Sequence, residues 1–463
     1  MTSRAALFGR YGEAVLSVLF GAWAAAIALA QPLALKAALA APAAILPAAW
    51  WMWQRRERWL MVFFAAALLL PPLPAPIGNS GPHPSLAVAA AGLFAGLVWL
   101  RDWRIPVNAL TGGFLAFFGL LTASVAQAAW HSGAEAAAGS LARVALFGIS
   151  VYVFFYAASS PLGDDHTARD LRRLYWIATA AALFACVDFY FQFPAPAGYG
   201  PQFVWLDTGV YRRAQGLFYE ASTLGNFCAF FLVMIAVALA RPRGASPVSR
   251  RGLLAGGVVF FAALVLSYSR ASVLNVMIAG VVLWFLNRKR VPLGKILIAA
   301  AIAALVIWRA FPELAQQYWE RLSGSVQFFS DAGGAVLSGR AQSWETLANW
   351  LLAHPWQAFL GIGYKTLPYT QYLGAPIVAD NMYLSLLVET GIAGLAAFVW
   401  LNVAILRAAR RATRVADPRR RFFGAWMLCF WSGQVVQMAS GDLLTYWRVL
   451  PLYFWALAVA VRE

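Results

Sequence analysis

Apolar runs of about 18 to 25 residues recur from one end of the chain to the other, separated by short polar connectors. A helix needs a run of that length to cross a bilayer. The pattern predicts spans at about 13–30, 33–53, 59–73, 85–100, 105–128, 140–158, 174–193, 218–240, 253–268, 271–286, 295–311, 382–406, 421–439 and 446–461. That is about fourteen. The third, ninth and tenth are short enough to be tilted, broken or interfacial. One long polar interval interrupts the pattern, from about Phe311 to Gly394. Within it, amphipathic helices are expected at about Pro312–Phe329 and Gly339–Leu352, the second with Trp344, Leu347, Trp350 and Leu351 near one face. Both suit a membrane interface, where Trp and Tyr favour the headgroup level. The Pro and Gly content of 355–376 predicts an irregular connector. The expected fold is all-α: a polytopic helical membrane protein, one membrane domain over 1–463, with a long loop at 312–380.

Composition agrees. Hydrophobic residues make up 62% of the chain and charged residues 12%, against about half and about a quarter in soluble domains. The first apolar run is followed by another span with no convincing cleavage site, so it reads as a retained helix. Cys186, Cys228 and Cys429 fall inside apolar segments and suggest neither a disulfide framework nor a metal site.

The formal charge of +17 is distributed in clusters. Arg55, Arg56 and Arg58 follow the second span, Arg101 and Arg104 the fourth, and Arg169, Arg172 and Arg173 the sixth. Arg241, Arg243, Arg250 and Arg251 follow the eighth, Arg288, Lys289 and Arg290 the tenth, and the arginines from Arg407 to Arg421 the twelfth. Every cluster follows an even-numbered span. Lys and Arg concentrate on the cytoplasmic side, so both termini are expected there and the long loop outside. Nucleic-acid binding is not indicated, since no motif or folded basic patch supports it. The opposite face is poor in positive charge, with exceptions at Arg212, Arg213, Arg270, Arg309, Arg321, Arg340, Lys365 and Arg448. An anionic ligand is the simplest cause, because Arg holds phosphate with paired hydrogen bonds.

Each candidate has a functional and a structural reading. Arg270, at the tip of a tight helical pair, is a phosphate ligand or an Arg snorkelling to headgroups. Arg212 and Arg213 bind a diphosphate, with Glu220 near the site, or form a salt bridge that stitches a loop end. Arg340 is a ligand or part of a solvated face. Asp380, beside Asn381 where the loop re-enters the membrane, is a general base for an acceptor hydroxyl or a helix cap. Glu389, about two helical turns deeper, faces the bundle interior as a catalytic carboxylate or as a structural partner of an arginine. None of His83, His131, His166 and His354 sits at metal-ligand spacing, and there is no Walker loop, dinucleotide fingerprint or Asp-x-Asp pair. No metal or cofactor is expected.

Three pieces carry a resemblance: Arg213-Ala214-Gln215-Gly216-Leu217-Phe218; Ser267-Tyr268-Ser269-Arg270-Ala271; and Gly339-Arg340-Ala341-Gln342-Ser343-Trp344 through Gly361-Ile362-Gly363 to Asp380-Asn381-Met382-Tyr383-Leu384 and Glu389-Thr390-Gly391. In this order and spacing, over about 205–400, the chain resembles the O-antigen ligase and polymerase family of bacterial integral-membrane glycosyltransferases. The resemblance implies many helices around a periplasmic cavity in the inner membrane. It also implies a glycan donor on undecaprenyl diphosphate, a glycan or lipid A core acceptor, and transfer by displacement at the anomeric carbon without nucleotide or required metal. Arg213, Arg270 and Arg340 hold the positions of the family's diphosphate-binding arginines. Asp380 stands where ligases of the family usually show His, and Tyr219-Glu220-Ala221-Ser222 resembles the exopolysaccharide polymerase version. The resemblance therefore leans to a polymerase of lipid-linked repeat units, with a chain-length co-polymerase as a partner. Ligation to lipid A core, or transfer to protein, stays open beside it. A transporter is the reading from another class; it favours charged residues at mid-depth in broken helices.

Overall fold

The computed structural model describes residues 15, 18–30, 50–52, 54–55, 57–74, 81–159, 164–196, 199–200, 202–206, 209–241, 246–287, 340–370, 372–374 and 376–462, with isolated positions at 305, 308–309, 312, 316 and 319. Its contacts divide the chain into two compact units, Met1–Trp59 and Leu60–Glu463. The smaller holds α1, Val18–Leu29. The larger carries the candidate site.

After α2 (Arg58–Leu69) come α3 (Pro84–Val98), α4 (Ala109–Ser159) and α5 (Asp164–Phe191). A hairpin of β1 (Phe203–Leu206) and β2 (Gly209–Arg212) leads into α6 (Ala221–Leu239), α7 (Arg250–Leu266) and α8 (Arg270–Leu286). Then follow α9 (Arg340–Ala353), α10 (Pro355–Leu360), α11 (Met382–Ala412), α12 (Pro418–Gln437) and α13 (Leu450–Val461). By length and composition α4, α5 from His166 on, α6 and α11 are able to cross a membrane, and α1, α2, α3, α8 and α13 are shorter apolar helices. Apart from those isolated positions, the eleventh expected span, most of the second, the amphipathic helix expected at 312–329, and Arg321 lie outside the described residues.

α6 is apolar all round and mostly buried, as a helix at the centre of a bundle must be. It packs against α7, α8 and α12, while α12 also touches α11 and α13. Aromatic rings fill the gaps: Phe230 of α6 lies 4.3 Å from Trp426 and 4.5 Å from Tyr453.

In three places the structure departs from expectation. The connector expected between the spans at 105–128 and 140–158, about His131–Gly139, is helical on both sides of one residue, Gly133, with φ 86° and ψ 173°. Ala134, Glu135 and Ala136 to Ala138 favour helix, so the chain turns at the glycine alone, where no Cβ opposes positive φ. The fold is not purely α: β1 and β2 pair antiparallel with Phe203 opposite Arg212 and Leu206 opposite Gly209. Branched and aromatic residues here suit a pleated surface. Finally, α9 lays its apolar face on protein rather than on a lipid interface. Leu347 is buried with Ile362, Leu367, Ala379 and Val388, and Trp350 and Leu351 pack against that cluster.

Connectors that the charge pattern assigns to one face touch one another. On one side Arg172 Nε donates to the Pro247 carbonyl at 2.8 Å, Arg241 Nη1 to the Pro418 carbonyl at 2.8 Å, and Arg420 Nε to the Ala460 carbonyl at 3.5 Å. On the other, Ser132 Oγ donates to Thr370 Oγ1 at 2.9 Å, and the Ala214 amide to the Leu266 carbonyl at 3.0 Å.

Candidate functional site

The segment Arg213–Phe218 is hooked onto the α7–α8 turn. The Ala214 amide bonds the Leu266 carbonyl, and Arg213 Nε donates to the Ser267 carbonyl at 2.8 Å. Arg213 therefore lies beside the turn that ends in Arg270, the first residue of α8. Gly225 of α6 closes the arrangement from below. A Cβ there would stand 2.6 Å from Ser269 Cβ and 2.9 Å from Ser267 Oγ, so only glycine lets α6 approach. The turn is held from within the bundle as well: Ser269 Oγ meets Ser272 Oγ at 2.8 Å, and Gln437 Nε2 donates to Ser272 Oγ at 3.1 Å.

A second cluster of motif residues is built where the chain 361–370 crosses α11. At Gly391 the helix is broken, with φ 70° and ψ −175°, which leaves carbonyls before it without intrahelical donors. The crossing segment supplies two donors. The Ile362 amide donates to the Val388 carbonyl at 3.1 Å and the Gly363 amide to the Glu389 carbonyl at 2.8 Å. The contact is backbone on backbone: a Cβ at Gly361 would overlap the Glu389 carbonyl, and one at Gly391 the Phe359 carbonyl. That is the physical content of Gly361-Ile362-Gly363 and Glu389-Thr390-Gly391. Glu389 is buried, with Oε1 accepting the Leu367 amide at 3.3 Å. Its Oε2 and the buried Tyr364 hydroxyl have no hydrogen-bond partner among the described residues.

Lys365 is where the elements meet. Its buried ammonium pairs with Asp442, which begins the short 3₁₀ turn Leu443–Thr445. Burial lowers its pKa from the ordinary lysine value to about 8, Glu389, Glu220 and Asp380 act to raise it, and Arg143 acts to lower it. One cation thus feels carboxylates from the start of α6, from the residue before α11's cap and from inside α11. Arg143, on the second half of α4, donates from Nη2 to the Tyr369 hydroxyl at 2.5 Å and stacks over that ring at 4.8 Å. Burial and the neighbouring Glu220 carboxylate push the Tyr219 phenol up.

Backbone strain gathers in the same segments. Among the described residues the non-glycines at positive φ are Gln192, Tyr268, Lys365 and Asp380, at 49°, 51°, 59° and 46°. Such conformations cost roughly 1–3 kcal/mol each and persist where surrounding structure imposes them. Tyr268 is two residues before Arg270, and the last two belong to the Lys365 cluster.

The predicted residues are placed as follows. Arg213 and Arg270 share one turn. Asp380, Glu220 and Glu389 share the surroundings of Lys365. Arg340 opens α9, one turn ahead of Trp344, whose Nε1 donates to the Ala379 carbonyl at 2.6 Å beside Asp380. The cap of α11 is Asn381, not Asp380: Asn381 Oδ1 accepts the Tyr383 and Leu384 amides at 3.1 Å each. The expectation for Arg212 is corrected. Its buried guanidinium donates to Asp188 Oδ1 at 2.7 Å and to the Phe193 carbonyl at 2.8 Å, so it is spent inside the protein as a salt bridge. Arg448 is likewise removed from the ligand cations, since it binds the carbonyls of Ala67 and Leu70 at 2.7 and 3.0 Å, and that of Leu217. Sequence reasoning left Arg143, Asp442 and Tyr369 out of the site, and Lys365 out of its named ligands. Arg143 carried the same signal as the others, a cation at the charge-poor end of a span, but was absorbed into an apolar run. Among the described residues no three His, Cys, Asp or Glu side chains converge as a metal site would require.

Residues 255–399 match the family described as O-Antigen ligase. The match spans just under a third of the chain and includes Arg270, Arg340, Lys365, Asp380 and Glu389, while Arg213, Glu220 and Arg143 lie ahead of it. The family resemblance carried by the sequence motifs is thus supported over that segment. No curated protein matches the chain.

Proposed function

We propose, from the O-antigen ligase match over residues 255–399 and the site around it, that this protein is a membrane glycosyltransferase acting on a glycan linked to undecaprenyl diphosphate. It extends surface polysaccharide by joining lipid-linked repeat units on the periplasmic face of the inner membrane. The observations that support the reading are two clusters built from the motif segments: the Arg213–Arg270 turn, and a buried lysine that pairs with Asp442 and feels Glu389, Glu220 and Asp380. A diphosphate leaving group needs cations to stabilise the charge it gains, and an acceptor hydroxyl needs a carboxylate to take its proton.

In this reading Arg213 and Arg270, with Arg340 from the start of α9, hold the diphosphate. Asp380 is the base, because it is partly exposed whereas Glu389 is buried. The acceptor oxygen forms a bond to the anomeric carbon as the bond from that carbon to the diphosphate oxygen breaks. The proton passes to Asp380, and undecaprenyl diphosphate departs with the bonding pair. Glu389 is a positioning residue: it holds the Leu367 amide and faces Lys365. Asn381 orients Asp380 by capping the helix behind it.

A carrier of lipid-linked glycan is the second reading, and the helix breaks at Gly133 and Gly391 favour it, since discontinuous helices line transporter sites. At Gly391, however, the Val388 and Glu389 carbonyls are taken by the Ile362 and Gly363 amides, which engages them within the protein and not with a cargo.

The test is mass analysis of the product formed by purified protein in detergent from a defined lipid-linked repeat, alone and with lipid A core. Growth of the lipid-linked chain alone identifies a polymerase, and product only with core a ligase. No product in either arm, with transport activity in vesicles, would overturn the enzyme reading.

A further inference from the structure

The chain 361–370 has a second neighbour besides α11. Gly363 packs on Ala128 of α4. Beside that contact, between the end of α4's first half and α10, lies a cavity of about 400 Å³ whose walls include Gln127, Trp130, His131, Trp356, Gln357 and Gly361. None of Arg213, Arg270, Lys365, Asp380 or Glu389 lines it. Gly361 is the boundary it shares with the site, since the other side of that glycine lies on the Glu389 carbonyl.

The chemistry of the walls is specific. Gln127 and His131 are four residues apart and so share one face of α4, with Trp130 beside them and the break at Gly133 just beyond. Trp130 and Trp356 are 85% and 75% exposed. The walls are braced: the His131 ring lies 4.7 Å from the Tyr372 ring, and the Tyr372 hydroxyl accepts from Gln357 Nε2 at 3.1 Å.

Ala126 and Leu360 add apolar wall to two indoles, two primary amides and an imidazole, a mixture that suits an amphipathic ring better than an acyl chain, because polar side chains against hydrocarbon are costly. No Lys or Arg lines the cavity, so it is not built for a phosphate, which takes charge-assisted donors. A sugar ring has the matching surface. Its C–H face lies on the negative face of an aromatic ring, and its hydroxyls both donate to and accept from amides and imidazole. The volume is at the low end of ligand sites, about 300–1,000 Å³, so it takes a short piece of glycan.

We propose that this cavity is a glycan subsite outside the reaction centre, holding a sugar of the accepting chain away from the bond being made. The proposal rests on the glycan-transfer reading. Because its contacts are the same before and during reaction, the subsite adds uniform binding and lowers KM without raising kcat.

The experiment uses the full chain in detergent and, as probe, the delipidated repeat-unit oligosaccharide of the source cell's polysaccharide, read by tryptophan fluorescence and saturation-transfer NMR. Binding is expected to weaken roughly two- to tenfold in Trp130→Ala and in Trp356→Ala. It should be largely kept in Trp130→Phe, weakened in Gln127→Leu, and unchanged in Arg270→Ala. In transfer assays the Trp→Ala variants should raise KM for long acceptors at constant kcat. Wild-type affinity in the Trp→Ala variants, no oligosaccharide binding by wild type, or quenching by a short-chain phospholipid in place of the sugar would each overturn the subsite. Oligosaccharide binding that depends on Trp130 while no diphosphate-linked donor is ever used would retain the subsite and discard the proposed function.

Discussion

Arg448 and Lys365 are both buried cations, and both lie in connectors that the charge pattern assigns to the same face. Their surroundings are opposite. Arg448 is ringed by neutral acceptors: the carbonyls of Ala67, Leu70 and Leu217 and the Tyr199 hydroxyl. It closes the end of α2, where carbonyls lack intrahelical donors, and burial lowers it to about 10. Lys365 is ringed by charge: it pairs with Asp442 and feels Glu389, Glu220, Asp380 and Arg143. A guanidinium whose donors are used on backbone is a staple. An ammonium among more carboxylates than it can neutralise belongs to a site where charge is handled. Charge on the disfavoured face thus has two causes, and position along the chain does not separate them.

Substitutions at the two cations and around them test whether the two roles are distinct. The largest effect on folding is expected from Arg448→Met, which takes a donor from three carbonyls at once and leaves Leu70 and Leu217 only His83 and Tyr199. Leaving a buried acceptor unsatisfied costs about 1–3 kcal/mol, so the variant should lose thermal stability and folded yield, read by fluorescence-detected size exclusion. If it folds normally but cannot transfer glycan, Arg448 belongs with the site. Next come Arg270→Ala and Asp380→Asn. Each should retain folded protein in the membrane and lose roughly 10²–10³-fold in transfer, measured with a lipid-linked donor; wild-type rates in both would remove them from the chemistry.

Lys365→Met should be milder, lowering transfer by about tenfold, with Asp442→Asn in between, as expected of a charge that positions rather than reacts. The pH profile gives the smallest and sharpest signal. With its pKa near 8, Lys365 is charged at neutral pH, and a step needing that charge should fade as pH rises through about 8. Lys365→Arg should hold the rate flat across the same range. Because the folded pKa lies below the ordinary lysine value, the unfolded chain holds the proton more tightly. Stability therefore rises between about pH 8 and that ordinary value, so an alkaline loss of transfer without unfolding points to Lys365. An unchanged limb in Lys365→Arg would assign it elsewhere.

Much of the fold was legible because apolar length and basic clusters are local properties. The spans expected at 218–240, 271–286 and 382–406 are α6, α8 and the first part of α11. The α7–α8 turn lies where Ser269-Arg270 predicted it. The hairpin 203–212 was missed because its strands are too short to show a period. Gly133 was read as part of a loop because glycine is a breaker signal, although one left-handed residue sufficed. The site was legible as a set of motifs. Its internal division was not: Arg212 and Arg213 are adjacent in sequence, yet one is buried on Asp188 and the other reaches Ser267.

Sequence alone marked this chain as a membrane protein of many helices, showed basic clusters alternating with its apolar runs, and indicated which family its central segment resembles. Those properties follow from hydropathy, charge sign and motif order, each readable one segment at a time. The tertiary structure alone decided that Arg448 and Arg212 are structural, that Lys365 joins Asp380, Glu220 and Glu389, and that Gly361 and Gly391 carry a crossing of backbones. Those outcomes depend on which groups meet across hundreds of residues, and a buried charge takes its role from the partners that the fold supplies.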